Sequence, residues 1–146
     1  MTRRNRSGPA ALTLWACALA LTGGCAPAAP KTVPLSGVVR VNGKPAARAK
    51  VFLTPLAPSD GRPVLPSAET GADGTFRVST YLPDDGAPPG EYAVTVLWPT
   101  YAMSGSEEVE GPDRLKGRYN SVRSPAATVA VTEATRELPP LDLRLP

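Results

Sequence analysis

The 146-residue chain contains no histidine. That absence removes the commonest general base and the commonest nitrogen ligand for transition metals. A Ser–His–Asp triad, a Cys–His dyad and a His-based zinc site are all excluded within this chain. Cysteine is scarce as well: Cys17 and Cys25 are the whole supply. Everything after Cys25 therefore lacks both a disulfide and a thiolate nucleophile. Aromatic residues make up only 5%. No apolar run reaches the roughly 20 residues of an ordinary spanning helix. From Leu35 onward no stretch carries the 3.6-residue periodicity of an amphipathic helix.

The N-terminus holds a different pattern, "MTRRNRSGPAALTLWACALALTGG". Arg3, Arg4 and Arg6 make a basic start, Leu12 to Leu21 an apolar run, and small residues follow. That order predicts a secretory signal peptide over residues 1–24. Cys25 then closes "LTGGC", which resembles a bacterial lipobox, with Thr22 where Leu is commonest. Lipidation of Cys25 is the expectation. The Pro/Ala-rich residues 25–34 read as an extended tether. A diacylglycerol plus an N-acyl chain would anchor strongly, since each buried CH₂ contributes about 0.8 kcal/mol. The expected address is the bacterial cell envelope, outside the cytoplasm. Ala26 stands where an inner-membrane retention Asp would stand, which favours the outer membrane.

The charge balance follows from this cleavage. The full chain has 16 basic and 13 acidic residues, a net charge of +3. Removing the three arginines of the signal leaves 13 of each, so the remaining chain is neutral. Nucleic acid is not an expected partner.

The body of the chain, residues 35–146, reads as short strands divided by turns. Strands are predicted at about Leu35–Val41, Lys50–Leu56, "SAET", "TFRVST", "EYAVTVLW", "AATVAVT" and "LDLRL". Asn42-Gly43 and Asp73-Gly74 carry hairpin chemistry. Tyr92, Val94, Val96 and Trp98 share one face of the clearest strand, and Glu91, Ala93, Thr95 and Leu97 the other. Leu141, Leu143 and Leu145 are expected to point inward. The 18 prolines sit mostly in connections. The expected fold is all-β, a single antiparallel β-sandwich of about seven strands. Residues 99–125 show no strand pattern and read as a long loop.

"LSGVVRVNGKPAARAKVFLTP", "ETGADGTFRVST" and "PPGEYAVTV", in that order, resemble the carboxypeptidase regulatory-like domain, a prealbumin (transthyretin)-like sandwich. The later "DRLKGRYNSVRSPAATVAV" resembles the ending of small lipoproteins that carry this domain in planctomycete-like bacteria. The resemblance implies a fold and a location. It implies no reaction, because such domains accompany other activities as binding or scaffold modules. Hydroxyisourate hydrolase resembles this chain in architecture only: its site depends on His residues and a C-terminal Tyr-Arg-Gly-Ser-like motif, both missing here.

The candidate chemistry is thin. Asp84 and Asp85 are adjacent, but calcium needs 6–8 oxygens, and even with Asp60 or Asp73 the set falls short. They read as turn residues whose carboxylates bond local N–H groups. Tyr92, after Pro-Gly, reads as a corner tyrosine. Ser104, Ser106, Ser121 and Ser124 have no base to activate them. No catalytic residue, metal or cofactor is expected, and the protein is not expected to be an enzyme. The expected role is structural or binding. The alternative is recognition of a carbohydrate or an envelope protein by residues 99–125, with Trp98, Arg114, Arg118 and Tyr119 as the contact residues. The acidic and basic parts of that loop are expected to neutralise each other.

Overall fold

Asn42 and Gly43 both take positive φ, 50° and 77°. That is a type I′ turn, whose twist matches the strands it joins. It pairs β1 (Ser36–Val41) with β2 (Lys44–Pro45) in antiparallel register, Val41 opposite Lys44. The computed structural model describes residues 31–57 and 64–146. The expected signal peptide (1–24), Cys25, Asp60 and most of the tether lie outside the described residues.

The other strands are β3 (Lys50–Pro55), β4 (Ser67–Glu69), β5 (Thr75–Arg77), β6 (Gly90–Leu97) and β7 (Pro99–Ser104). They are followed by β8 (Glu107–Asp113), β9 (Asn120–Ser121), β10 (Ser124–Pro125), β11 (Ala127–Val131) and β12 (Leu141–Leu143). All seven expected strands form, as β1, β3, β4, β5, β6, β11 and β12. The described residues contain no helix.

Two sheets face each other. In one, β1 pairs with β12 on one side and with β2 and β5 along successive parts of its length. In the other the order is β11-β6-β3-β4. Every pairing is antiparallel except β1 with β12, where Val39 to Val41 lie parallel to Leu141 to Leu143. Val39, Phe76 and Leu141 from one sheet meet Leu53, Val94 and Val129 from the other in a single core. This is the all-β sandwich the strand pattern predicts.

Four details differ from the sequence reading. The folded body begins at Val33, which is buried and exchanges both backbone hydrogen bonds with Ala87 (2.8 and 3.1 Å). Val33 and Pro34 thus belong to the folded body and not to the expected tether of 25–34. Strand β6 is buried on both faces: Ala93 and Thr95 are as enclosed as Val94 and Val96. It is an inner strand, between β3 and β11, and only its ends, at Glu91 and Leu97, open to water on the second face. Asp73-Gly74 does turn the chain, with Gly74 at φ 78°. However, it hands the chain from one sheet to the other, and only Ser67 and Ser79 bridge across it. Leu145, expected inward, is exposed past the end of β12.

Asp84 and Asp85 are turn residues. Asp85 accepts the N–H groups of Thr80 (2.6 Å), Tyr81 (3.0 Å) and Leu82 (3.1 Å), while Asp84 takes a left-handed φ of 59°. Partial burial, the largest single influence, pushes the Asp85 carboxyl up, but the three N–H donors together outweigh it and hold it below its ordinary value. A carboxyl depressed in the folded state contributes stability above its unfolded pKa and loses it as pH falls through the folded one. Wild type should therefore lose stability below about pH 4. Asp85→Asn should be less stable than wild type at pH 7 and converge with it in acid. Urea midpoints measured across pH check this, and a constant gap at all pH would rule it out. Tyr92 is the expected corner residue: its hydroxyl donates to the Pro88 carbonyl at 2.8 Å, and burial raises its pKa.

Candidate functional site

Strand β6 delivers Trp98 to one end of the sandwich. The indole Nε1 donates to the Ala47 carbonyl at 2.9 Å, and the ring packs half-buried on the core. The Trp98 backbone N–H donates to Asp113 Oδ1 at 2.9 Å. That carboxylate also accepts the N–H groups of Leu115 (3.0 Å) and Gly117 (2.8 Å). Asp113 thus ties the end of β6 to the turn that follows β8. Lys116 and Gly117 take positive φ (50° and 76°) to close that turn. Leu115 is driven into the core, 0% exposed.

The basic side chains of the same segment stay at the surface. The Arg114 guanidinium lies 4.7 Å from the Trp98 ring centroid, and Arg118 lies 5.8 Å from that of Tyr119. The Tyr119 carbonyl accepts the Val96 N–H at 2.8 Å, and its hydroxyl accepts the Arg144 N–H at 3.3 Å. The four proposed contact residues therefore do converge, as two cation–aromatic pairs. Neither aromatic is a bare stacking platform. The indole N–H is occupied, and Arg114 stands over the ring.

Residues 99–113 are a correction to the loop reading. They form the hairpin β7–β8, turned by Gly105 at φ 66° and Ser106. A Gly-first two-residue loop of this kind is a type II′ turn. The expected neutralisation within the loop does not occur either. Arg48 donates Nη1 and Nη2 to the two carboxylate oxygens of Glu108 (2.9 and 2.8 Å). That fork holds the Glu108 carboxyl below its ordinary value. Arg48 also stacks on Tyr101, 3.5 Å from the ring centroid. Lys50 of β3 pairs with Glu110. Glu108 and Glu110 are thus bound to the sandwich, not to the basic segment behind them.

An electrostatic consequence follows. From Arg114 to Val131 the chain has four basic residues and no acidic one. Among the described residues, none of Arg114, Lys116, Arg118 and Arg123 enters an ion pair with a carboxylate. The Asp113 carboxylate, which could have met them, is turned onto three backbone N–H groups. This surface thereby carries a local excess of positive charge beside half-buried aromatics. Among the described residues no three potential ligands converge for a metal ion.

This surface lies at one end of the sandwich, and the chain enters the fold at Val33 at the other. Leu97 pairs with Lys50, at the Trp98 end. Tyr92 pairs with Pro55, at the Gly90 end, near the turn that places Ala87 beside Val33. Asp113, Leu115 and Arg48 are the site residues that sequence reasoning did not single out, and Tyr101, noted only as a neighbour of Tyr119 in the loop, proves to be the partner of Arg48. Only the Gly-Ser turn at 105–106 was a readable sign of the hairpin that brings Arg48 and Tyr101 in.

No family model matches the chain, and no protein in the curated comparison does. Among solved structures it is similar to a candidate carbohydrate-binding protein of Pseudomonas aeruginosa, with a TM-score of 0.39 and 15% identity over 79% of this chain and 89% of that one.

Proposed function

We propose that this protein is a lipid-anchored, extracytoplasmic binding module of the bacterial envelope, of the carboxypeptidase regulatory-like kind, that holds an anionic glycan without acting on it. The observation that carries the reading is the unpaired positive charge of the Arg114–Arg123 segment, left over because Arg48, Lys50 and three backbone N–H groups engage Glu108, Glu110 and Asp113. Guanidinium groups bind carboxylate or sulfate in forked pairs. The half-buried rings of Trp98 and Tyr119 add apolar surface beside these cations. The lipobox-like "LTGGC" and the signal pattern support the anchor at Cys25. The order of the I′ turn, the A-D-G turn and the P-G-x-Y strand supports the domain type.

The test is titration calorimetry with polygalacturonate and with neutral dextran. The protein should bind the first and not the second, with affinity falling steeply as salt rises. Arg114→Gln with Arg118→Ala should weaken binding by roughly tenfold or more, about 1.4 kcal/mol. Equal affinity for the two polymers, or for wild type and variant, would sink the glycan assignment. Loss of polymer binding alongside retained capture of an acidic envelope protein would reassign the same cations to a protein partner.

A further inference from the structure

The end of the sandwich opposite this surface carries apolar side chains that the fold does not use. Leu82 is 68% exposed and Leu65 51% exposed, and Tyr81 and Leu56 also face solvent. Topology gathers them. Leu56 donates its N–H to the Glu91 carbonyl beside Gly90. Leu65 precedes Pro66, whose carbonyl accepts the Leu53 N–H near the same end of β3. Tyr81 and Leu82 sit on the turn closed by Asp85, which runs directly into Ala87 and its bridge to Val33. The four therefore lie around the point where the tether enters. Arg77, Asp84 and Arg136 border an open cleft there with Pro34, Leu35 and Ser36, and Arg77 lies 4.0 Å from the Asp84 carboxylate.

We propose that this end is a membrane-resting surface: Leu65, Tyr81 and Leu82 insert at the lipid interface while Arg136 faces the headgroup phosphates. The proposal rests on the reading that Cys25 is lipidated. Val33 follows Cys25 by eight residues, which span at most about 29 Å when fully extended. Strand β6 alone, at eight residues, is about 25 Å long. A tether whose full reach only matches the length of such a strand keeps its own end of the sandwich nearest the bilayer. At the high effective concentration of so short a link, even a weak apolar contact is populated. Leucine and tyrosine suit that depth, since tyrosine places its ring in the interface and its hydroxyl in water. The remaining large exposed apolar residues, Met103, Val109, Val122 and Leu145, belong to the hairpin and to the segments at the far end or beyond it. The glycan-binding surface would then point away from the bilayer, toward its ligand.

The chain's cysteine economy makes the test direct, because only Cys25 and the signal's Cys17 could compete for a label. Leu82→Cys and, as the distal control, Met103→Cys are labelled with an environment-sensitive fluorophore. The lipidated proteins are reconstituted into phosphatidylethanolamine–phosphatidylglycerol vesicles containing doxyl lipids. Quenching at position 82 should exceed that at 103 by roughly threefold or more, since only a probe at interfacial depth meets the quencher. Adding Leu65→Asp and Tyr81→Asp should bring it down to the control level without releasing the protein. Equal quenching at both positions in vesicle-bound protein overturns the resting surface and leaves the anchor standing. Protein that does not sediment with vesicles, and fractionates from cells as Cys25→Ala does, overturns the anchor and the surface together. Self-quenching between labelled copies would give the patch to a second copy of this chain and overturn the lipid assignment.

Discussion

Gly86→Ala is expected to destabilise the domain by about 4–6 kcal/mol, much of the 5–15 kcal/mol typical of a domain this size. Gly86 is buried at φ 88°, where L side chains are strained. A Cβ built there meets the Val33 carbonyl oxygen at 1.7 Å, its carbon at 2.3 Å and Pro34 Cα at 2.7 Å. These are backbone atoms and cannot rotate away. The strand entering β1 must move, and with it go both Val33–Ala87 hydrogen bonds. Backbone strain of about 1–3 kcal/mol, two hydrogen bonds at about 1 kcal/mol each and partial exposure of Val33 and Leu35 make up the total. Urea denaturation measures it. A midpoint shift equivalent to less than about 1 kcal/mol would show that the entry segment is not held where we describe it.

Leu115→Ala should be next in size, about 2–5 kcal/mol, as for other fully buried leucines. In thermal unfolding that is a drop of about 10 °C or more for a domain of this length. Leu115 is the only buried side chain between Pro99 and Val129. Its loss should free the Arg114–Tyr119 turn from the core and weaken polygalacturonate binding, although the leucine itself cannot touch the ligand. Arg118→Ala separates the two effects: it should lower affinity and leave the melting temperature within about 2 °C, as expected for an exposed side chain. A Leu115→Ala protein that melts like wild type would mean that the turn is held by Asp113 alone.

How legible these features were depends on where their partners lie. Asn42-Gly43 needed only its own two residues to specify a turn, and the sequence reading placed it correctly. The alternation of Val129 and Val131 against Thr128 and Ala130 predicted their faces, because β11 has one face toward water. The same reasoning was too cautious for β6. Ala93 and Thr95 look neutral in sequence, and only the flanking β3 and β11 enclose them. The hairpin β7–β8 escaped notice because its strands are largely exposed, so no burial pattern marks them. What holds it is Arg48 and Lys50, each 60 residues from its glutamate partner. Ion pairing at that distance leaves no trace in a local window. Leu115 escaped for the opposite reason: a lone leucine among charges, in "DRLKGR", has no periodic companions.

The parallel seam between β1 and β12 also constrains the order in which the molecule can be made. Ser36 meets Arg136 across 100 residues, and the register continues through Val39 opposite Leu141. The first strand to be synthesised waits for the last before its sheet is complete. Closing so large a loop is slow, and slow closure keeps a chain unfolded for longer. Were the chain exported as we propose, that delay would be useful, because the sandwich cannot seal until its carboxyl-terminal strand is available.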